Sequence, residues 1–136
     1  MIRANRPKYG NKKITIPSGE VFDSKREYQR WLILKEAETK GIISDLERQP
    51  TFELIPKITE KYIKHLKTKD KECERVTQLP CTYTADFRYN KDGVVVVEDV
   101  KISPKMLPPE YILREKMFRY KFGFPIKRVY KPTDEI

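Results

Sequence analysis

The sequence predicts an α/β (α+β) domain whose mixed central sheet is flanked by helices. Three observations support this prediction. Residues 94–97 are four valines, and such a β-branched run favours a buried strand. One segment before this run and one after it carry helix start and stop signals. The resulting order is helix, three strands, helix, strand, which is typical of helices packed on a mixed sheet.

The first helix is predicted from Ser24 to about Lys40, after a short extended piece at 14–16. Ser24 is a favourable N-cap, and a glutamate stands three residues later, as in a capping box. Trp31 is expected in the core. Gly41 follows the last turn, where glycine commonly ends a helix.

Two extended segments follow this helix, at 45–49 and 51–55. Pro50 between them favours a bend or a sheet edge, because proline cannot donate to a ladder. Residues 57–78 are rich in Lys and Glu and form a charged insertion. A hairpin extension and a mobile loop both fit that composition.

Residues 83–89 are predicted as one strand and residues 94–101 as the next. The intervening Asn-Lys-Asp-Gly, 90–93, joins them as an antiparallel hairpin. The second helix is predicted at 110–122, with a glycine stop, and the last strand at 126–130. The apolar residues of that helix at near-helical spacing are Ile112, Leu113, Met117 and Tyr120.

Charged residues directly follow the valine run. Alternate strand residues share a face, so Asp99 and Lys101 point one way and Glu98 points the other. Buried charge is costly unless it is paired or bound to metal. With Asp86 on the neighbouring strand, these side chains could hold a divalent metal against a phosphodiester.

Each acidic residue also has a purely structural interpretation. Asp86 could pair with Arg88 or a lysine, and Asp99 with Lys101 on an exposed edge. Glu98 is expected to pair with a helix lysine. If the strand carries a bulge, Glu98 and Asp99 could exchange roles.

The net charge of +9 and a pI near 9.5 predict a polyanionic partner, DNA, although a merely soluble basic protein is the alternative. The basic residues concentrate at the two ends of the chain. The predicted phosphate contacts are Arg3, Arg6, Lys8, Lys12 and Lys13 in a basic arm at 1–13, and Arg114, Lys116 and Arg119 in the second helix.

Length and composition limit the number of domains, the location and the kinds of site that are expected. The 136 residues suit one domain, expected at 14–136 beyond the arm. No apolar stretch approaches about 20 residues, so no membrane partner and a cytoplasmic location are expected. Cys73, Cys81 and His65 lack the spacing of a zinc site, and neither a disulfide nor histidine catalysis is expected.

Five segments, 8–12 (KYGNK), 22–27 (FDSKRE), 46–50 (LERQP), 83–87 (YTADF) and 97–101 (VEDVK), carry a resemblance to a known superfamily. The chain resembles the PD-(D/E)XK nucleases, and is close to a small phage-associated family of uncharacterised proteins. The superfamily pattern is an Asp on one strand, (D/E)-X-K on the next and a helix Glu. The matching residues are Asp86, Asp99, Val100, Lys101 and Glu27, while Ala85 stands where the superfamily name has proline.

The resemblance implies a restriction-endonuclease-like αβββαβ core and metal-dependent DNA endonuclease activity. Mg²⁺, replaceable by Mn²⁺, would be held by Asp86, Asp99, the Val100 backbone carbonyl and Glu27, and Lys101 would orient the attacking water. Gln49 is a further candidate residue.

The resemblance also bears on biological role. A phage-encoded, structure-selective enzyme of recombination or replication fits it, acting in the host cell cytoplasm. Junction resolvases are among the resembling proteins and act as dimers, so a homodimer is compatible. A catalytically inactive nucleic-acid-binding protein of the same fold and a phage structural accessory are the alternatives.

Overall fold

The computed structural model describes residues 12–136, and this part of the chain contains two α-helices and ten β-strands. They are β1 (Ile14–Thr15), β2 (Val21–Phe22), α1 (Lys25–Thr39), β3 (Ser44–Arg48), β4 (Thr51–Ile55), β5 (Ile58–His65), β6 (Asp70–Gln78), β7 (Cys81–Thr84), β8 (Phe87–Lys91), β9 (Val94–Val100), α2 (Pro109–Phe122) and β10 (Lys127–Val129). Strands β10, β9, β8 and β3 form the central sheet in that order. Strand β10 is parallel to β9 and the other pairs are antiparallel, so the predicted mixed α+β architecture is confirmed.

Helix α1 begins and ends where the sequence predicts. The Ser24 hydroxyl accepts a hydrogen bond from the Glu27 amide at 3.1 Å, which satisfies one of the free N–H groups of the first turn. Gly41 has a φ of +76°, the left-handed conformation that favours glycine after a helix. The helix buries Leu34 and Ala37 against one face of the sheet.

Strand β3 runs antiparallel to β8, and strand β4 runs antiparallel to β7. The break between β3 and β4 lies beside the break between β7 and β8. The Gln49 amide donates to the Asp86 carbonyl at 2.8 Å, and the Ala85 amide donates to the Pro50 carbonyl at 3.0 Å. Gln49 adopts a φ of +54° at this irregularity. The prediction of one continuous strand at 83–89 was therefore wrong.

The interruption changes which face of the sheet the side chains occupy. Tyr83 and Ala85 pack in the core under α2, whereas Phe87 and Tyr89 pack in the core under α1. In an unbroken strand all four would share one face, because side chains alternate with a period of two. The irregularity at Asp86 therefore turns this side chain toward α2.

The hairpin between β8 and β9 forms as predicted. Lys91 pairs with Val94, which leaves Asp92 and Gly93 as a two-residue turn, with φ values of +51° and +76°. Positive φ at both positions is the signature of a type I′ turn. The valine run is less buried than expected, because Val94 next to the turn is 62% exposed and burial is complete only at Val97.

Helix α2 has the predicted extent, but only part of the predicted apolar face is packed: Met117 contacts the core, whereas Leu113 and Tyr120 do not. Tyr111 and Phe118, seven residues apart, are buried against the sheet. Leu113 is exposed and Tyr120 is 95% exposed. The larger rings fill the space over the sheet, where Phe118 packs edge-on against Phe52.

Residues 57–78 form a hairpin, which decides between the two interpretations of this insertion. Strands β5 and β6 pair with each other from Ile58 to Gln78. Their side chains are exposed almost throughout, with only Cys73 partly buried. The hairpin therefore extends beyond the packed part of the molecule.

Two further observations concern expectations drawn from composition. Neither α1 nor α2, the helices of residues 12–136, has the length and apolar character needed to cross a membrane. Cys73 and Cys81 both carry free thiols.

Candidate active site

Asp86 and Asp99 line one side of a cleft between the sheet and α2. Phe87 pairs with Glu98 across β8 and β9, and one further step along this antiparallel register brings Asp86 beside Asp99. The Val100 amide donates to the Asp86 carboxylate at 2.7 Å. The cleft has a volume of about 430 Å³. Its lining residues are Thr82, Tyr83, Thr84, Asp86, Asp99, Lys101, Pro108, Glu110, Tyr111 and Arg114.

Asp99 is held from two sides and is only 5% exposed. The Lys101 ammonium lies 2.9 Å from one carboxylate oxygen, and the Tyr83 hydroxyl donates to the other. Strand β9 lies between β8 and β10, so this ion pair is not the exposed-edge pair of the structural interpretation. Burial and the Asp99 charge raise the pKa of Tyr83, which keeps its hydroxyl a proton donor.

Lys101 is fixed by both its backbone and its side chain. Its amide donates to the Val129 carbonyl at 2.8 Å, which attaches it to β10. Its ammonium lies 3.8 Å from the centre of the Tyr111 ring. Tyr111 in turn donates to Glu115 at 2.8 Å. The ammonium is therefore positioned beside Asp99 by the second helix as well as by the sheet.

The charge of Asp86 is unfavourable in this environment. Burial raises the pKa of Asp86 well above its ordinary value, and the negative charges of Asp99 and Glu27 raise it further. The Val100 amide and the Lys101 ammonium act in the opposite direction. The three carboxylates therefore lie close enough to repel one another, and a cation between them would relieve that repulsion.

Glu27 approaches the site from the first turn of α1 and is 3% exposed. Within the described part of the chain, its Oε1 atom is buried without a hydrogen-bond partner. The nearest cation is the Arg48 guanidinium, 4.0 Å from that oxygen. Burial raises the pKa of Glu27 to about 7, with added contributions from the charges of Asp23 and Asp99. A buried polar atom without a partner costs stability, which is typical of a functional site.

Glu98 points to the opposite face, as predicted, but its partner is not a lysine. Arg30 of α1 binds it through two nitrogens, each 2.7 Å from a carboxylate oxygen, and Tyr89 also donates to it. Both Arg30 and Glu98 are fully buried. A planar guanidinium can satisfy both carboxylate oxygens at once, which an ammonium cannot. This pairing keeps Glu98 out of the cleft, on the face of the sheet opposite to Asp99.

Gln49 contributes through its backbone rather than its side chain. Its side chain is exposed, and it is not part of the cleft that contains Asp86. Its amide supports the Asp86 carbonyl at the strand interruption. Gln49 therefore shapes the position of Asp86 without facing the same space.

The predicted phosphate-binding residues are distributed unevenly around the cleft. Arg114 lines it directly. Lys116 and Arg119 line a separate depression beside Arg128. Lys12 and Lys13 are exposed before β1. The predicted contacts Arg3, Arg6 and Lys8 lie outside the described residues.

Sequence reasoning missed the residues that hold the carboxylates in place. Tyr83 lay within a segment already noted for its resemblance, two residues before Ala85, but a tyrosine in a strand gives no separate signal. Tyr111 and Arg48 contact the site from elements distant in sequence. The packing of α2 on the sheet brings Tyr111 to the site, and the pairing of Arg48 with Phe87 across β3 and β8 brings Arg48 there.

The side chains of the site meet some of the requirements for binding a hard divalent cation, but not all of them. Asp86, Asp99 and Glu27 offer carboxylate oxygens, the ligands that Mg²⁺ prefers. The unpartnered Glu27 oxygen and the raised pKa of Asp86 both indicate missing positive charge. Among residues 12–136, however, no group of three or more Asp, Glu, His or Cys side chains is already arranged to hold a metal ion.

The family described as "Protein of unknown function (DUF1064)" matches residues 6–131. This chain belongs to the DUF1064 family. The matched region spans β1 to β10, so the DUF1064 region includes Glu27, Asp86, Asp99 and Lys101. No curated protein and no solved structure matches the chain.

Proposed function

We propose that this DUF1064 protein is a metal-dependent DNA endonuclease of the PD-(D/E)XK type. One observation carries the proposal: Asp86 and Asp99, from neighbouring strands, face one cleft with Lys101 beside them. The Val100 amide fixes Asp86, and the Lys101 ammonium lies 2.9 Å from Asp99. The buried Glu27 carboxylate adds negative charge from the side of α1. An acidic centre in a chain of net charge +9 suits a cation bound between protein and polyanion.

Asp86, Asp99 and Glu27 are the side chains that would hold Mg²⁺, with the Val100 backbone carbonyl as a further oxygen ligand. A bound Mg²⁺ supplies Lewis acidity, which polarises a phosphodiester and lowers the pKa of a water ligand. Mn²⁺ accepts the same oxygen ligands and should replace it. The Tyr83 hydroxyl and the Val100 amide orient the two aspartates toward this role.

Lys101 would supply the fixed positive charge of the reaction. Its ammonium is partly buried and held by Asp99 and the Tyr111 ring. In this position it can orient the attacking water and stabilise the negative charge that develops on the phosphoryl oxygens. Because the ammonium is already fixed, it needs little reorganisation during the reaction.

The substrate is proposed to be DNA held mainly by its phosphates. Arg114 lines the cleft, and its guanidinium is the group proposed to contact a backbone phosphate there. Selection by DNA structure over sequence is proposed because phosphate contacts, such as the one expected of Arg114, carry no sequence information. A phage role in recombination or replication, including junction cleavage by a homodimer, belongs to the same proposal.

A catalytically inactive nucleic-acid-binding protein is the second candidate, and two observations favour it. The carboxylates of Asp86 and Asp99 already accept hydrogen bonds from Val100 and Tyr83. No ready-made metal group of three side chains exists in the described residues. The carboxylates of Asp86 and Asp99, which line the cleft, would, however, weaken a protein that only binds a polyanion, since like charges repel.

Cleavage by an Asp99→Asn variant tests the proposal. We expect the wild-type protein to nick supercoiled plasmid or branched DNA with Mg²⁺ or Mn²⁺ and not with a chelator. Asp99→Asn keeps an acceptor for Tyr83 but removes the ligand charge, so activity should fall at least about 100-fold. Asp92→Asn is the matched control: it removes the same charge from an exposed turn residue at φ +51°, a conformation that asparagine tolerates.

Three results would contradict the proposal in different ways. Metal-dependent cleavage that survives Asp99→Asn would reject the assigned site. Binding without cleavage of duplex, single-stranded and branched DNA by the wild-type protein would favour the inactive binder. Equal losses in Asp99→Asn and Asp92→Asn would show a general charge effect instead of a catalytic one.

A further inference from the structure

The hairpin of β5 and β6 has two faces of opposite charge. Side chains directly opposite each other in an antiparallel pair share a face. One face, here called the basic face, consists of the cross-strand pairs Glu60–Arg75, Tyr62–Cys73 and Lys64–Lys71. The other, called the acidic face, consists of Thr59–Val76, Lys61–Glu74, Ile63–Glu72 and His65–Asp70. The basic face thus has three cations and one acid, whereas the acidic face has three acids and one lysine.

The basic face contains an unfavourable contact that an anion would relieve. Lys64 and Lys71 are directly opposite each other, and both are exposed. Like charges at directly opposed positions destabilise a strand pair. On the acidic face, by contrast, Lys61 faces Glu74, and His65 lies 2.8 Å from Asp70. The excess of positive charge is therefore confined to one side of the hairpin.

An aromatic side chain lies next to this charge. The Arg75 guanidinium lies over the Tyr62 ring, 5.1 Å from its centre, and also binds Glu60 at 3.1 Å. Two more lysines, Lys67 and Lys69, lie in the turn beyond the strands. The face therefore presents cations along the hairpin as far as its tip.

We propose that the basic face of this hairpin docks in a groove of double-stranded DNA, with Lys64 and Lys71 contacting phosphates. The inference rests on the proposed function for its choice of DNA as partner. A two-stranded ribbon fits the major groove, which is about 12 Å wide. Eight strand residues at about 3.3 Å each span about 26 Å, most of one turn of duplex. The acidic face repels phosphates, so only one orientation of the hairpin is favourable.

Salt-dependent binding of a 20-base-pair duplex, measured by fluorescence anisotropy in a chelator so that no strand is cut, tests this inference. Each lost phosphate contact reduces the slope of log K against log salt by about 0.9. Lys64→Gln/Lys71→Gln should therefore reduce the slope by about 1.8 and weaken binding at least about tenfold at 0.1 M salt. Lys64→Arg/Lys71→Arg keeps both charges and should bind like the wild-type protein.

Lys61→Gln is the matched control, because it removes one exposed lysine of the same strand from the acidic face. Its slope should stay within the error of the wild-type value, whereas Lys64→Gln alone should lower the slope by about 0.9. Equal losses in both single variants would overturn the inference, as would tighter binding of single-stranded DNA than of duplex. An unchanged slope in the double variant would do the same.

A second copy of the chain is the other partner that the basic face could bind, because the acidic face of one hairpin would attract the basic face of another. Sedimentation of the wild-type and double-variant proteins separates the cases. Loss of an oligomer in Lys64→Gln/Lys71→Gln with unchanged DNA binding would overturn the inference. If only the nuclease proposal were wrong, the double variant would still show the change in slope, but the wild-type protein would show no metal-dependent cleavage.

Discussion

Glu27 shows how a single buried carboxylate can oppose folding at a functional site. Its capping position explains why α1 begins at this place, but its Oε1 atom gains no hydrogen bond from the described residues. The charge is instead close to other acids, and its pKa is raised to about 7 from an ordinary value of 4.5. Such an arrangement is retained when the charge serves another purpose.

The raised pKa of Glu27 predicts a specific dependence of stability on pH. A carboxyl with a raised folded pKa favours the folded state fully below its unfolded pKa, and that contribution is lost as the pH rises through the folded value. Metal-free protein should therefore lose stability between about pH 4.5 and 7. At pH 8, Glu27→Gln should be more stable than wild type by about 1–3 kcal/mol.

Urea unfolding at pH 5 and pH 8 in a chelator measures this effect. Glu36→Gln is a suitable control, because Glu36 lies on the exposed side of the same helix and pairs with Lys40. The control should follow the wild-type pH dependence. Glu27→Gln should lose less stability than the wild-type protein between these pH values, while the raised pKa of Asp86 keeps a part of the loss in place. A loss as large as that of the wild-type protein would show that the charge of Glu27 does not contribute to it.

At the scale of elements, α1 and β9 are joined through a buried ion pair. Arg30 binds Glu98 with both partners fully buried, and it also donates to the backbone carbonyls of Pro132 and Asp134 in the C-terminal segment. The pair thus connects a helix, a central strand and the end of the chain. Breaking a buried pair by removing one partner leaves the other charge without compensation.

Arg30→Met should therefore destabilise the protein by about 3–5 kcal/mol, measured by urea unfolding. Arg30→Met/Glu98→Met should recover part of this loss, because no buried charge is then left unpaired. Lys40→Met is the control, since its exposed pair with Glu36 is worth only about 0–1 kcal/mol. A double variant as unstable as the single one would show that the backbone carbonyls, rather than Glu98, depend on Arg30.

At the scale of the whole molecule, the chain combines a packed body with a projecting hairpin. Strands β5 and β6 pair with each other and bury little of their surface. An isolated two-stranded hairpin is marginally stable, so it contributes little to the stability of the body. The cleft with Asp86 and Asp99 lies in the body, beside the junction of β7 with β8.

Replacing residues 57–78 by Asn-Gly should leave the body folded. Strands β4 and β7 pair up to Ile55 and Cys81, so a short turn can close them. We expect the free energy of unfolding to change by no more than about 1 kcal/mol, because the hairpin buries little apolar surface. Circular dichroism and urea unfolding measure this, and loss of cooperative unfolding would contradict it. Duplex affinity should fall in the same variant.

Features that depend on residues close together along the chain could be predicted from the sequence. The Ser24 cap, the Asp92-Gly93 turn and the Gly123 stop each follow from the backbone preferences of a few adjacent residues. The separation of Glu98 from Asp99 follows from the alternation of a strand. All of these were predicted, because the interactions involved span only a few positions along the chain.

The tertiary structure alone decided the features that depend on distant partners. The interruption at Asp86, between β7 and β8, is hydrogen-bonded to the matching irregularity at Gln49, between β3 and β4, and it determines which face the aspartate occupies. The choice of Arg30 as the partner of Glu98 and the buried face of α2 depend on how helices pack on the sheet. Local sequence preferences carry no information about such packing, because its energy comes from residues brought together only by the fold.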